Sequence, residues 1–207
     1  MSGKKRICVF GDSIVSNEGY FGYDNWVTIF QKYISKQNES NSVFNLGISG
    51  EKTDGLLGRI ETEIKARKPN IIIIHIGSND SGIFKDKAYI SKKMCEKNIQ
   101  KIISISKKHT KNVIVTGLTP CVESKTTPTI WDKDEHFTNK QIKEYNDIIE
   151  EVSKKEKVYF LEIFNNFKNR KDFNKLIFND DGVHPNKKGN QFFAKLLIDF
   201  GKSKKLW

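Results

Sequence analysis

A serine hydroxyl becomes a nucleophile only when a nearby base takes its proton and a third group holds that base in the right tautomer. The chain offers a candidate for each role: Ser13 within Gly11-Asp12-Ser13, and His184 with Asp181 within Asp181-Gly182-Val183-His184-Pro185. The Asp-x-x-His spacing sets carboxylate and imidazole about one turn apart, so one short segment delivers both the base and its orienter. Acyl transfer also needs donors aimed at the negative charge that develops on the carbonyl oxygen, and losing one typically costs about 10²- to 10³-fold in rate. Three donors are expected: the N–H of Ser13, the N–H of Gly47 in Asn45-Leu46-Gly47, and the side-chain amide of Asn79 in Gly77-Ser78-Asn79-Asp80.

These segments lie far apart along the chain, so some element must gather them. Five apolar, β-branched runs do this: Arg6 to Phe10, Ser42 to Leu46, Asn70 to Ile76, Asn112 to Thr116 and Lys157 to Leu161. They alternate with helical patterns, which reads as successive βαβ units and a parallel sheet. The run Ile71 to Ile76 shows no polar alternation and is expected at the centre, covered by helices on both faces. In an open parallel sheet, ligands bind outside the carboxyl ends of the strands. The first three motifs each follow a strand, and the fourth directly precedes the last helix.

The helices are expected as follows. Asp24 caps one carrying Trp26, Ile29, Phe30 and Tyr33; Leu57, Ile60 and Ile64 mark the next; Ala88 to Lys108 forms a third. A fourth opens on the capping box of Thr138 and Gln141, and the last runs from Lys187 to Phe200. Residues 119–137 and 163–180 lack a period and read as long loops. Ile83, Phe84 and Trp131, each in a loop beyond a strand, are the expected apolar wall around an acyl group. His75, inside an apolar strand, reads as a core residue.

With the motifs in place, the chain resembles the SGNH hydrolases, also called the GDSL esterase and lipase family. The resemblance runs from Arg6 to about Phe200 and rests on Gly11-Asp12-Ser13-Ile14, Gly47 within Asn45 to Gly50, Gly77 to Asp80, and Asp181 to Pro185. It implies a three-layer α/β/α sandwich with a flavodoxin-like, five-stranded parallel sheet in the order 2-1-3-4-5, and a serine hydrolase needing no metal or other cofactor. It assigns Ser13, Gly47, Asn79 and His184 the roles argued above, with Asp181 completing the triad. Ile14 stands where the motif's name has Leu, a change with no catalytic consequence. The α/β-hydrolase elbow Gly-x-Ser-x-Gly is absent around Ser13, and no glycine-rich phosphate cradle follows the first strand.

Composition narrows the alternatives. At 207 residues the chain is expected to form one domain over residues 1–207. The longest apolar runs are of strand length and no secretion signal is evident, so the expected setting is the cytoplasm, without membrane insertion. Cys8, Cys95 and Cys121 cannot complete a disulfide framework and are expected as reduced thiols. His109 and His136 show no metal-ligand spacing with any Cys or carboxylate. The net charge of +11 raises the question of a nucleic-acid partner, but the lysines are scattered over almost every predicted helix, often beside acids, and none is expected.

The expected reaction is hydrolysis of a small-molecule carboxylic ester, with short acyl chains favoured, through an acyl-enzyme. An acyltransferase on the same triad would differ in its acceptor. A non-catalytic basic binding protein would differ in showing salt-dependent retention. The sequence says nothing about oligomeric state.

Overall fold

Strands of Ile, Val and Phe expose two apolar faces, and only a helix layer on each side removes both from water. The computed structural model describes residues 4–16 and 22–207 and has this arrangement. In chain order its elements begin β1 (Arg6–Gly11), α1 (Ser13–Ser16), α2 (Trp26–Gln37), β2 (Ser42–Gly47), α3 (Thr53–Arg67) and β3 (Ile71–His75). There follow β4 (Ile83–Phe84), β5 (Lys87–Ala88), α4 (Lys92–Lys107), β6 (Val113–Thr116) and α5 (Glu123–Thr126). The chain then forms β7 (Glu135–His136), α6 (Asn139–Lys155), β8 (Tyr159–Leu161), α7 (Phe164–Lys168) and α8 (Lys187–Ser203).

Five strands make one parallel sheet in the order β2-β1-β3-β6-β8, which is the expected 2-1-3-4-5 order counted within that sheet. Side chains alternate between its faces with the strand period of two. Ile7, Val9, Ile71, Ile73 and Ile114 pack with Trp26, Phe30 and Phe193 of α2 and α8. Cys8, Phe10, Ile72, Ile74, Val113 and Val115 pack with Ile60, Ile99 and Ile149 of α3, α4 and α6. The register brings Gly11 beside both Gly47 and His75, so the first two motifs begin at one level of the sheet edge.

Several local expectations are corrected. Asn25, not Asp24, caps α2: its Oδ1 accepts from the Thr28 N–H at 3.0 Å, while Asp24 pairs with Lys32. The third predicted helix starts at Lys92 rather than Ala88, because Ser91 caps it and Lys87–Ala88 is drawn into strand pairing with β4. Residues 119–137 contain α5 and β7, and residues 163–180 contain α7 and a short 3-10 helix, Phe173–Lys175. Thus β5, β4 and β7 form a second, three-stranded antiparallel sheet that the sequence did not announce.

His75 is fully buried, with Nδ1 2.8 Å from the Thr116 hydroxyl and its ring edge-on to Trp26 and Phe193. Burial pushes its pKa down to about 4, as befits a neutral core residue. The three cysteines are free and buried, and desolvation pushes the thiols of Cys8 and Cys121 up to about 12 and 11. Helical lysines pair with acids one turn away, as Lys65 with Glu61, Lys143 with Asp147 and Lys154 with Glu150. No helix among the described residues is long and apolar enough to cross a membrane.

Candidate active site

At the end of β1 the chain passes into α1 where β3 presses closest, and Gly11 leaves the room: a Cβ there would lie 2.2 Å from the His75 carbonyl oxygen. Asp12 then acts as a cap. Its Oδ1 accepts from the Ile14 N–H at 3.0 Å and its carbonyl accepts from Val15 and Ser16. Ser13 is held between these bonds at the first position of α1, where its own N–H has no helical carbonyl to reach. The price is a wholly buried carboxyl: desolvation raises Asp12 to about 7, against the Ile14 N–H bond and the nearby His184, which lower it.

The fourth motif is built as a tight loop ahead of α8. Gly182 adopts φ +71°, where a Cβ would lie 2.5 Å from the Lys125 Cβ. The turn lets Asp181 Oδ1 accept from the N–H groups of Val183 (2.8 Å) and His184 (3.0 Å). Asp181 Oδ2 lies 2.8 Å from His184 Nδ1, and His184 Nε2 lies 2.8 Å from Ser13 Oγ, across 171 positions of sequence. Burial alone would push the Asp181 carboxyl up, but the His184 hydrogen bond and the two backbone N–H groups outweigh it and hold the group below its ordinary range. An ionised carboxylate can only accept, so Nδ1 carries the proton and Nε2 presents its lone pair to the hydroxyl. The three predicted residues are thus brought into one hydrogen-bonded chain.

The predicted donors fare differently. Asn79 faces the crevice, and one of its amide hydrogens is fixed by the Glu51 carbonyl at 2.9 Å, leaving the other available. Gly47 does not face it. Its N–H is taken by Asn45 Oδ1 at 3.1 Å, and a Cβ at Gly47 would meet the Ser16 backbone nitrogen at 2.4 Å. Asn45 also donates to the carbonyls of Val15 and Ser16, so this motif is a clasp between the ends of β2 and α1. The glycine that lines the crevice is Gly50, three residues on, at φ +76°. Both glycines stand in Asn45-Leu46-Gly47-Ile48-Ser49-Gly50, and the sequence carries no signal to rank them until the register is known.

The loop bearing Gly50 is strapped at both ends by one side chain. Arg59 Nε donates to Glu51 Oε1 at 2.6 Å, Nη2 donates to Glu51 Oε2, and Nη2 also reaches the Leu46 carbonyl at 2.7 Å. Asp80 anchors the neighbouring motif, accepting from the Thr53 N–H at 3.1 Å and hydroxyl at 2.5 Å where α3 begins. Burial raises Asp80 to about 6 despite those bonds.

These parts enclose a crevice of about 280 Å³. The motifs and their loops contribute Ser13, Ser49, Gly50, Asn79, Val183 and His184 to its lining; Lys52, Tyr89, Trp131, Glu135 and Phe137 complete it. Of the predicted acyl wall, Trp131 lines the space but Ile83 and Phe84 do not. They form β4, behind the wall: Phe84 stacks on Tyr89 with ring centroids 5.9 Å apart, and β4 pairs with β7 through Ile83–His136 and Phe84–Glu135. The sequence does not mark Tyr89, Glu135 and Phe137, whose place depends on the second sheet, nor Lys52, which precedes α3.

The profile of the GDSL-like Lipase/Acylhydrolase family matches residues 9–192. Among solved structures, the lipase/acylhydrolase from Enterococcus faecalis superposes with a TM-score of 0.80 at 21% identity, over 97% of this chain and 96% of that one. Among curated proteins, the uncharacterized lipoprotein YqeF of Bacillus subtilis is 29% identical over 127 residues, 58% of this chain and 51% of its own. Esterase TesA of Pseudomonas aeruginosa is 32% identical over 76 residues, 37% of this chain and 38% of its own. The chain therefore spans about half or less of the curated relatives it matches. With most of its length inside the family profile and the four motifs gathered at one sheet edge, the chain belongs to the GDSL-like lipase/acylhydrolase family.

Proposed function

We propose that the chain is a single hydrolase domain that cleaves carboxylic esters with short acyl groups by a two-step acyl-enzyme mechanism. The observation that carries this reading is the unbroken line Ser13 Oγ, His184 ring, Asp181 carboxylate, with 2.8 Å at each junction. Ser13 Oγ attacks the ester carbonyl while His184 Nε2 takes its proton. The resulting oxyanion is received by the N–H groups of Ser13 and Gly50 and the free amide hydrogen of Asn79. Collapse of the tetrahedral intermediate breaks the C–O bond, and His184 returns the proton to the departing alcohol. Water then repeats the sequence on the acyl-Ser13 ester, with His184 as base, and releases the carboxylic acid.

Asp181 keeps the imidazole oriented and stabilises it when charged. The names of the Enterococcus and Pseudomonas relatives, a lipase/acylhydrolase and an esterase, support the same reaction class. The volume of the crevice favours small acyl groups. The experiment is hydrolysis of p-nitrophenyl acetate and butyrate by the parent and by Ser13→Ala, with fluorophosphonate labelling as a second readout. The parent is expected to turn over both esters and to take the label at Ser13, and Ser13→Ala to lose at least about 10³-fold in kcat. A variant that retains activity within a few-fold of the parent removes the nucleophile assignment.

A further inference from the structure

The part of the crevice lining outside the motifs is not what an alkyl ester alone requires. Glu135 is only 8% exposed, yet it carries a carboxylate into the crevice. Two donors hold it there: Trp131 Nε1–H and, at 3.4 Å, the Thr129 hydroxyl address Oε2. Its backbone is fixed by pairing with Phe84. Beside it, Lys52 places its ammonium 4.6 Å above the centre of the Tyr89 ring. Trp131 leaves half its surface, 50%, open at the rim. A small crevice thus holds a fixed acceptor, a flexible donor and an aromatic face. Phe137 and Val183 supply the apolar surface that an acyl group needs.

We propose that Glu135, Lys52 and Trp131 form a subsite for the hydroxyl groups of the ester's alcohol portion, so that the preferred substrates are short-chain esters of sugars or polyols. This rests on the esterase reading above and specifies its substrate class. A long alkyl chain laid on this wall would strip water from a carboxylate and an ammonium without replacing the lost hydrogen bonds. A cationic alcohol would meet Lys52, and an anionic one would meet Glu135. A neutral polyol replaces the water bond for bond: one hydroxyl donates to Glu135, another accepts from Lys52, and the C–H face of the ring lies on the Trp131 indole.

The test compares ethyl acetate with glucose acetylated on its primary hydroxyl, two acetates of primary alcohols, with p-nitrophenyl acetate as the reference for intact chemistry. The parent protein is expected to favour the acetylated glucose over ethyl acetate by about tenfold or more in kcat/KM. Glu135→Gln keeps the volume and one acceptor oxygen. It is expected to raise KM for acetylated glucose about tenfold while leaving kcat/KM for ethyl and p-nitrophenyl acetates within about twofold. Lys52→Met, on the other flank, is expected to show the same split.

No preference in the parent, a result that depends on no variant folding, overturns the proposal. So does an equal loss on all three esters in Glu135→Gln, the sign of a merely structural carboxylate. Absence of any Ser13-dependent turnover of p-nitrophenyl acetate overturns the esterase reading itself, and the subsite with it.

Discussion

Two sets of residues that line the crevice are supported in different ways. Beside the parallel sheet, the segments bearing Ser13 and His184 are fixed by bonds two or three positions long, Asp12 to Ile14 and Asp181 to Val183 and His184, while Asn79 is held by the Glu51 carbonyl. The wall bearing Tyr89, Trp131 and Glu135 hangs from two-residue strands, with β4 and β7 brought together from about 50 residues apart. On the proposed reading, the first set holds groups that must meet within hydrogen-bond distance of a reacting atom, and the second holds groups that only have to fit a substrate. If that reading holds, chemistry and selection rest largely on different scaffolds, with Lys52 alone carried by the loop that bears Gly50, and mutations should divide between kcat and KM along the same line.

The strongest blow to this division is Asp181→Asn. The amide keeps the turn's N–H acceptor but offers Nδ1 a donor in place of an acceptor, so the imidazole settles in the wrong tautomer. A fall in kcat of about 10³- to 10⁴-fold with KM nearly unchanged is expected; steady-state kinetics on p-nitrophenyl acetate checks it, and a loss confined to KM would break the comparison. Asn79→Ala should follow, with about a 10²- to 10³-fold loss in kcat.

Arg59→Lys sharpens the picture at longer range. A single ammonium cannot reach both the Leu46 carbonyl and both Glu51 oxygens, so the loop carrying Gly50 loosens, and about a tenfold fall in kcat is expected without a matching rise in KM. A thermal shift with unaltered kinetics would assign Arg59 to the fold alone. On the other wall, Phe84→Ala withdraws the ring behind Tyr89 and should raise KM about threefold at constant kcat; a drop in kcat there would show that the two scaffolds are coupled.

The smallest effect is thermodynamic. Asp12 is raised from its ordinary 3.8 to about 7 in the folded protein, so between those values the folded state binds the proton that the unfolded state has lost. Stability from this group is greatest at low pH and declines as pH rises from about 4 to about 7. Asp12→Asn retains the Oδ1 acceptor and removes that dependence. Its melting temperature relative to the parent should climb between pH 5 and pH 8 by a few degrees, and a difference that stays flat across that range would contradict a protonated Asp12.

The same contrast explains what the sequence disclosed. The main sheet was legible because Ile71 to Ile76 and its companions carry apolar runs that no other element would bury, and the triad because Asp181 and His184 advertise their spacing. The sequence points to Gly47 as a donor, and only the Gly11–Gly47 register shows that this glycine abuts α1. Ala88 was read into a helix, and Ile83 and Phe84 into the wall, since two-residue strands leave no periodic trace and their pairing with Glu135–His136 is a tertiary event. Lys52 and Glu135 looked like any other charges in a chain where Lys, Arg, Asp and Glu make up 29% of residues.

The 171 positions separating Ser13 from His184 also carry a temporal meaning. During synthesis at about 5–20 residues per second, the hydroxyl waits roughly 10–30 s for its imidazole. Throughout that interval the nascent polypeptide lacks the group that, on the proposed mechanism, would arm the hydroxyl. Stalled translation intermediates ending before residue 184 should stay dark to a fluorophosphonate dye, and the signal should switch on only once α8 has emerged and docked.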